Sequence, residues 1–219
     1  LYESYGDVEG ERGGEMIIHN VSQGTPEWFQ CRSGIPTASC FSKIVTPTGK
    51  LSTQSAGYAS FLLAERMLNK PLEQFQKTYW MERGQELEAD AVAMYEFMYS
   101  VKTEVAGFIT NDEATAGCSP DRFVGDEGLV EIKCPAPWTH VENLVADKID
   151  KDYIPQVQGQ MLITGRKWVD WFSYYPDLTP CVIRTYRDED YIQKLAEALA
   201  EFDSVMKSKI EQLKEKGAY

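Results

Sequence analysis

Alternation of apolar and polar residues is clearest in residues 129–134, where it predicts a β-strand. Leu129, Glu131 and Lys133 fall on one face of this strand, because successive side chains of a strand point to opposite faces. The glycine-rich stretch just before the strand predicts a hairpin turn. Asp121 lies across that hairpin, so we expect its carboxylate to approach the acid and the base on the strand face.

Helices are predicted where apolar residues recur with the 3.6-residue period. Thr25 and Pro26 predict the start of the first helix, and Asp188 is expected to cap a long final helix that reaches about residue 214. Its apolar face suits docking on the sheet, and a subunit contact is the alternative. The other predicted helices cover residues 37–45, 54–69, 82–99, 137–146 and 153–162. The predicted buried stripe of the helix over 82–99 consists of Leu87, Ala91, Met94 and Met98. Glu88 lies at the edge of that stripe.

Further strands are expected over residues 16–21, 101–110, 168–175 and 181–186. Strands with interspersed helices predict an α/β fold, with a central mixed β-sheet flanked by helices. Residues 1–15 are polar and glycine-rich and predict a flexible N-terminal tail. Residues 16–219 are then expected to form a single domain.

Composition adds limits to this picture. The formal net charge of -12 does not favour binding to nucleic acid, although an acidic surface can coexist with a locally basic channel. Five widely spread cysteines predict reduced thiols and a cytoplasmic protein. The sequence has no CxxC pair and only two histidines, which argues against a structural zinc site. No apolar run approaches the ~20 residues of a membrane span.

The paired acids point to a particular chemistry. Two carboxylates directed at one point repel each other unless a cation lies between them, and such an oxygen-rich site suits Mg2+ or Mn2+. Lys133 beside that cation can polarise a water molecule or offset charge developing on a phosphate group. Because an acid and a base on one strand face are more often a solvated ion pair, the strand alone leaves that alternative open.

The spacing of these residues resembles a known motif. Asp121, followed after nine residues by Glu131-x-Lys133, looks like the PD-(D/E)xK nuclease motif. The sequences CSPD, ending at Asp121, and EIKCP, beginning at Glu131, resemble more narrowly the phage lambda exonuclease family, also called YqaJ-like viral recombinases or alkaline exonucleases. The resemblance runs from about Trp28 to about Asp190.

The resemblance implies a restriction-endonuclease-like core and a Mg2+-dependent 5'-3' exonuclease in which Mn2+ can replace Mg2+. Such an enzyme digests one strand of linear double-stranded DNA and leaves 3' single-stranded overhangs for homologous recombination. Asp121, Glu131 and the backbone carbonyl of Ile132 would hold the metal, and Lys133 would activate water. The motif R-G-x-x-x-E places Glu88 in the active site. The motif Q-x-Q assigns orientation of the attacking water to Gln156, on the helix over 153–162.

The amino-terminal block W-x-x-x-R-x-G-x-x-T-A-S also resembles the family. It implies that Arg32 and Ser39 bind a DNA phosphate, including the one at a 5'-phosphorylated end. Thr37 belongs to the same hydroxyl-rich segment, where a helix start offers free backbone N–H groups to a phosphate. Ordinary helix capping and a surface arginine are the alternative for these residues. Trp28 is expected to serve packing.

The family also implies a ring-shaped homotrimer, a single-strand annealing protein as partner, and a phage or prophage enzyme in the bacterial cytoplasm. Three alternatives stay open. A related nuclease with an iron–sulfur cluster needs four clustered cysteines, whereas the carboxy-terminal third holds only Cys181. The others are a PD-(D/E)xK DNA repair nuclease of other polarity and a catalytically inactive DNA-binding scaffold.

Overall fold

The computed structural model describes residues 16–72 and 79–219, so the tail predicted for residues 1–15 lies outside the described residues. The strands of these described ranges are Ile17–His19 (β1), Thr103–Val105 (β2), Phe108–Thr110 (β3), Gly117–Cys118 (β4), Arg122–Val124 (β5), Gly128–Lys133 (β6), Trp168–Ser173 (β7) and Cys181–Tyr186 (β8). The α-helices are Pro26–Arg32 (α1), Ser55–Leu68 (α2), Tyr79–Tyr99 (α3), Pro137–Ala146 (α4), Ile154–Thr164 (α5) and Glu189–Glu215 (α6). Short 3-10 helices cover Ala38–Lys43 and Lys151–Tyr153.

Five strands form a mixed sheet in the order β2-β5-β6-β7-β8, in which β6 and β7 are parallel and the other neighbours antiparallel. A separate antiparallel sheet has the order β1-β3-β4. The predicted hairpin is β5–β6, with Phe123 opposite Leu129. The mixed sheet with its flanking helices confirms the predicted α/β fold class.

Both faces of the five-stranded sheet are covered. Leu129 belongs to a large hydrophobic cluster together with the buried residues of α2, α5 and α6, whereas Val130 and Ile132 belong to a second cluster with α3. The alternation predicted for β6 is therefore correct. Burial on both sides explains why the strand is buried along its length except at Lys133, which is half-buried.

The single strand predicted over residues 101–110 is wrong. The chain breaks at Gly107, which has a φ of +69°, so β2 joins the five-stranded sheet and β3 joins the three-stranded one. A Cβ atom at this glycine would lie 2.7 Å from the carbonyl oxygen of His19. The positive φ and the close approach of β1 both require glycine at this crossover point.

The helix predicted over 82–99 begins earlier, at Tyr79, and its predicted stripe is wrong at Met98, which is 42% exposed. Ala91 and Tyr95 form the fully buried part of α3, whereas Leu87 and Met94 are half-buried. Tyr95 takes this place because its hydroxyl donates to the buried carboxylate of Asp170 on β7 at 2.6 Å. The hydrogen bond to Asp170 on the sheet thus decides which face of α3 is buried against the sheet.

The helix predicted over residues 37–45 is the six-residue 3-10 helix Ala38–Lys43, and the Thr37 side chain makes no capping hydrogen bond to it. Thr37 instead bridges to Gly117 of β4. By contrast, Thr25 caps α1 by accepting from the N–H of Trp28, as predicted. The segment after α1 is therefore fastened to a strand rather than organised as a regular helix.

The last helix, α6, begins after Asp188, whose carboxylate accepts from the N–H of Tyr191 as predicted. The buried face of α6 packs on α2 and α5 and belongs to the same hydrophobic cluster as Leu129 and Val169 of the sheet. All five cysteines are free thiols. None of the helices described in residues 16–72 and 79–219 combines the length and the apolar character needed to cross a bilayer.

Gly159 allows α5 to approach the 3-10 helix Ala38–Lys43. A Cβ atom at Gly159 would collide with the ring of Phe41, which is completely buried and has little room to move. This contact sets the position of α5, whose side chains reach across to β6.

We expect Gly159→Ala to lower the free energy of unfolding by about 1–3 kcal/mol, because the added methyl group overpacks the contact with Phe41. Gly57→Ala is the control, since Gly57 lies in α2 with nothing within 4 Å of the new Cβ. That substitution should raise the free energy of unfolding by about 0.5–1 kcal/mol. Urea denaturation of both variants measures the two effects, and equal responses would contradict the close-packing argument.

Candidate active site

The Glu131 carboxylate lies in the centre of the candidate site and is 4% exposed. Its Oε1 accepts hydrogen bonds from Lys133 Nζ at 2.6 Å and from Gln156 Nε2 at 2.7 Å. Its Oε2 accepts from Gln160 Nε2 at 2.6 Å. Lys133 is presented by the same strand face, whereas the two glutamines come from α5, one turn apart. The structure therefore brings together three residues predicted from the sequence and adds Gln160.

Asp121 approaches the same strand just before β5 begins. Its Oδ2 accepts from the backbone N–H of Ile132 at 2.6 Å. Burial raises the pKa of this carboxyl well above its usual range, and the charge of Glu131 raises it further, while Lys133 opposes the shift. The two acids therefore lie close enough for their charges to repel each other, which agrees with the approach expected across the hairpin.

Lys133 interacts with both acids, through an ion pair with Glu131 and through the charge of Asp121. Burial alone lowers the pKa of its ammonium group, but the charges of Glu131 and Asp121 outweigh burial, so the net effect is to raise the pKa. The lysine is therefore protonated at neutral pH. In this state its amine acts as a hydrogen-bond donor and a counter-charge rather than as a base.

These residues open into a cleft of about 1010 Å³, lined by Asp121, Glu131, Ile132 and Lys133. Glu88 of α3 lines the same cleft, and its charge contributes to the raised pKa of Asp121. The predicted placement of Glu88 beside the paired acids agrees with this geometry. Its catalytic role stays a prediction.

The donor set fits a small divalent cation. Within residues 16–72 and 79–219, no three histidine, cysteine, aspartate or glutamate side chains are arranged to hold a metal ion. Mg2+, however, is usually held by one or two carboxylates and keeps several waters, so Asp121 and Glu131 with a main-chain carbonyl are enough. A cation between them would also relieve the repulsion that raises the pKa of Asp121.

A second group of predicted residues lies around the end of α1. Arg32 Nη2 donates to Thr37 Oγ1 and to Ser39 Oγ, each at 3.3 Å. The guanidinium also stacks 3.9 Å above the ring of Trp28. The structure thus gathers Arg32, Thr37 and Ser39 at one place, where a guanidinium and two hydroxyl groups can bind an oxyanion.

Trp28 connects the two groups of residues. Beneath Arg32, its indole N–H donates to Ser119 Oγ at 3.0 Å, two residues before Asp121. A second cavity of about 760 Å³, lined by Trp28, Arg32 and Thr37, adjoins the first cleft, because Gln23 and Gln85 line both. The packing role predicted for Trp28 therefore extends to holding the Arg32 region against the segment that carries Asp121.

Sequence reasoning did not assign Gln160 to the site, although the signal was present. Gln156 and Gln160 are four residues apart and so share one helix face. Glutamine side chains on one helix face are usually exposed, but Gln160 is only 1% exposed. Its partner, Glu131, lies 29 residues away in the chain, and the sequence alone does not define that pairing.

The alkaline exonuclease LHK-Exo of Laribacter hongkongensis is similar to this chain over most of its length. The sequences are 34% identical, with a TM-score of 0.79, over 89% of this chain and 98% of the other. A structure of LHK-Exo in complex with dAMP gives 35% identity and a TM-score of 0.78 over the same shares. A phage-related exonuclease of Haemophilus somnus 129PT, at 14% identity and a TM-score of 0.62, covers 82% of this chain and 96% of its own and shares the fold.

A comparison with curated proteins gave no match. The family model of the YqaJ-like viral recombinase domain matches residues 27–167. This range contains both groups of candidate residues, from Arg32 to Gln160. Because the match spans most of the chain and agrees with the similarity to LHK-Exo, the chain belongs to the YqaJ-like viral recombinase domain family.

Proposed function

We propose that this protein is a metal-dependent deoxyribonuclease that digests one strand of linear double-stranded DNA in the 5'-3' direction and leaves 3' single-stranded overhangs. The observation that carries the proposal is the convergence of Asp121, Glu131 and Lys133 in an open cleft. The 34% identical relative is an alkaline exonuclease, and it has been crystallised with a deoxynucleoside monophosphate, which supports a DNA substrate.

The chemistry follows from the positions of these side chains. Asp121, Glu131 and the backbone carbonyl of Ile132 would hold Mg2+, or Mn2+ in its place. A divalent ion in such a site polarises the phosphate and lowers the pKa of bound water. The Lys133 ammonium offsets negative charge that develops on the phosphate oxygens. Hydrolysis therefore needs no nucleophile from the protein.

Two further side chains complete this site. Gln156 has an amide within reach of Glu131, and this amide helps to orient the attacking water. Glu88 lines the cleft, where its carboxylate would accept hydrogen bonds from water around the metal. Neither side chain carries a positive charge, so neither would repel a divalent cation bound beside it.

The polarity follows from the second group of residues. Arg32, Thr37 and Ser39 bind a 5'-terminal phosphate, and the cavity beside them adjoins the cleft. A strand whose end is held there presents a nearby phosphodiester bond to the paired acids. The hydroxyl groups and the guanidinium supply charge-assisted hydrogen bonds, which compensate locally for the net charge of -12.

The proposal extends to the partners. We expect a single-strand annealing protein to load on the 3' overhang, a homotrimeric ring to enclose the duplex, and the protein to act in the cytoplasm of a bacterial host as a phage or prophage product. The family description as a viral recombinase supports this setting.

One observation favours a second candidate, a DNA-binding scaffold without activity. Both oxygens of Glu131 are engaged by Lys133, Gln156 and Gln160, so a metal must compete with these donors for the carboxylate. The next three experiments separate this candidate from the nuclease.

Lys133→Met should reduce kcat for digestion of 5'-phosphorylated linear duplex by about 10²–10³-fold, because it removes the charge that stabilises the transition state. Lys167→Met is the matched control, since Lys167 is exposed and pairs with Glu127 on the hairpin loop. Gel assays with Mg2+ and with EDTA measure both. A wild-type protein that leaves the duplex intact at every metal and pH would favour the scaffold.

Mg2+ should raise the melting temperature of the wild-type protein and leave that of Asp121→Asn unchanged, because the substitution removes one of the paired charges. By mass action, a metal concentration 100-fold above Kd adds about 2.7 kcal/mol to the stability of the folded state. Differential scanning calorimetry with and without EDTA checks this. Equal shifts in the two proteins would show that the metal binds elsewhere.

Arg32→Gln should abolish the preference for 5'-phosphate over 5'-hydroxyl ends, while it spares the intrinsic cleavage chemistry. Arg166→Gln is the control, since Arg166 donates to the carbonyl of Gly125 at the hairpin turn. Duplexes labelled at the 5' or the 3' end report both end preference and polarity. Release of 3'-terminal nucleotides first would contradict the proposed direction.

A further inference from the structure

Gln160 makes a contact in the site that the motif Q-x-Q does not include. Its Nε2 donates to Glu131 Oε2 at 2.6 Å, and both side chains are buried, at 1% and 4% exposure. The other oxygen, Oε1, accepts from Gln156 and from Lys133. These last two donors are only half-buried. The carboxylate therefore has an inner oxygen, held by Gln160, and an outer oxygen on the side of the more accessible donors.

The contact with Glu131 fixes the orientation of the Gln160 amide and leaves its oxygen unpaired within the described ranges. Its Oε1 is buried and has no hydrogen-bond partner among the described residues. A buried acceptor without a partner is unfavourable, because it gives up its hydrogen bonds to water and gains none in return. The reversed amide would place this oxygen against Glu131, where two acceptors would face each other. The contact with Glu131 thus outweighs the cost of the unpaired oxygen.

We propose that Gln160 is a positioning residue for the metal site. It holds the inner oxygen of Glu131, so that the outer oxygen turns toward the cleft and is presented to a divalent cation. A cation that enters from the cleft competes with Lys133 and Gln156 but leaves the Gln160 contact in place. The inference rests on the proposed metal-dependent function and assigns the orientation of its central ligand to a particular side chain.

The chain offers a matched control on the same helix. Gln158 is 2% exposed, like Gln160, but its Nε2 donates to the carbonyl of Tyr186 and its Oε1 accepts from the N–H of Asp188. It therefore fastens α5 to the end of β8. Replacing Gln158 removes buried hydrogen bonds of α5 but leaves every hydrogen bond of Glu131 in place.

The experiment measures Mn2+ binding to the full-length, DNA-free protein by isothermal titration calorimetry. Gln160→Met keeps the size of the side chain but removes the donor, and we expect its Kd for Mn2+ to rise about tenfold, as is usual for loss of a group that orients a metal ligand. Gln158→Met should bind Mn2+ like the wild type. In digestion assays, Gln160→Met should need more Mg2+ for half-maximal activity, with an unchanged KM for DNA.

Gln160→Asn provides a second variant in case the methionine does not fold. This variant keeps the amide group, but its side chain is shorter by one methylene. Its Kd for Mn2+ should be higher than that of the wild type. If Gln160→Met also folds, the Kd of Gln160→Asn should lie below that of Gln160→Met. Circular dichroism confirms the fold of each variant before titration.

Several results would overturn the inference. One is a Gln160 variant that binds Mn2+ as tightly as the wild type or more tightly. Another is an equal loss of Mn2+ affinity in the Gln158 and Gln160 variants, which would indicate a general effect on α5. A wild-type protein that binds no Mn2+ overturns this inference together with the proposed metal dependence. If the wild type binds Mn2+ and the Gln160 variants weaken it, but DNA is not cleaved, the inference stands and the proposed nuclease activity fails.

Discussion

The rest of the site depends on the Glu131 carboxylate, which is buried and carries three donors. Taking a carboxylate out of water costs several kcal/mol unless its oxygens are hydrogen-bonded or paired with a charge. β6 supplies one of these partners as Lys133, and α5 supplies two as Gln156 and Gln160. The same contacts that make the buried charge tolerable also fix α5 against the sheet. Stability and the geometry of the site are therefore set by one group of hydrogen bonds.

A second buried carboxylate shows what distinguishes the site. Asp170 lies on β7 beside Val130 of β6, and accepts from Arg184 at 2.7 and 2.8 Å and from Tyr95 at 2.6 Å. The ion pair with Arg184 and the hydrogen bond from Tyr95 enclose the Asp170 carboxylate between the sheet and α3. Glu131 instead opens to a cleft and repels Asp121. A buried carboxylate that lines an open cleft and repels a second acid is typical of a functional site, whereas one enclosed by its ion pair and hydrogen bonds is typical of a structural role.

The Arg32 group is coupled mechanically to the paired acids. Arg32 stacks on Trp28, and Trp28 donates to Ser119, which belongs to the segment that carries Asp121. The bridge from Thr37 to β4 fastens the same region to the small sheet. These contacts consequently fix the position of the Arg32 group relative to the paired acids. In the proposed exonuclease this separation would determine which phosphodiester bond reaches the acids.

The sequence by itself determined the features that depend on neighbours along the chain: the hairpin, the two faces of β6, the caps at Thr25 and Asp188, and the spacing of Asp121, Glu131 and Lys133. It also indicated the family, from which Arg32, Glu88 and Gln156 followed. Only the tertiary structure decided the break at Gly107, the face of α3 that packs, the role of Trp28 as a link and the pairing of Gln160 with Glu131. Periodicity and caps arise from interactions within a few residues. The other features join residues from 29 to 91 positions apart, and the order of strands and the close approach of elements decide such contacts.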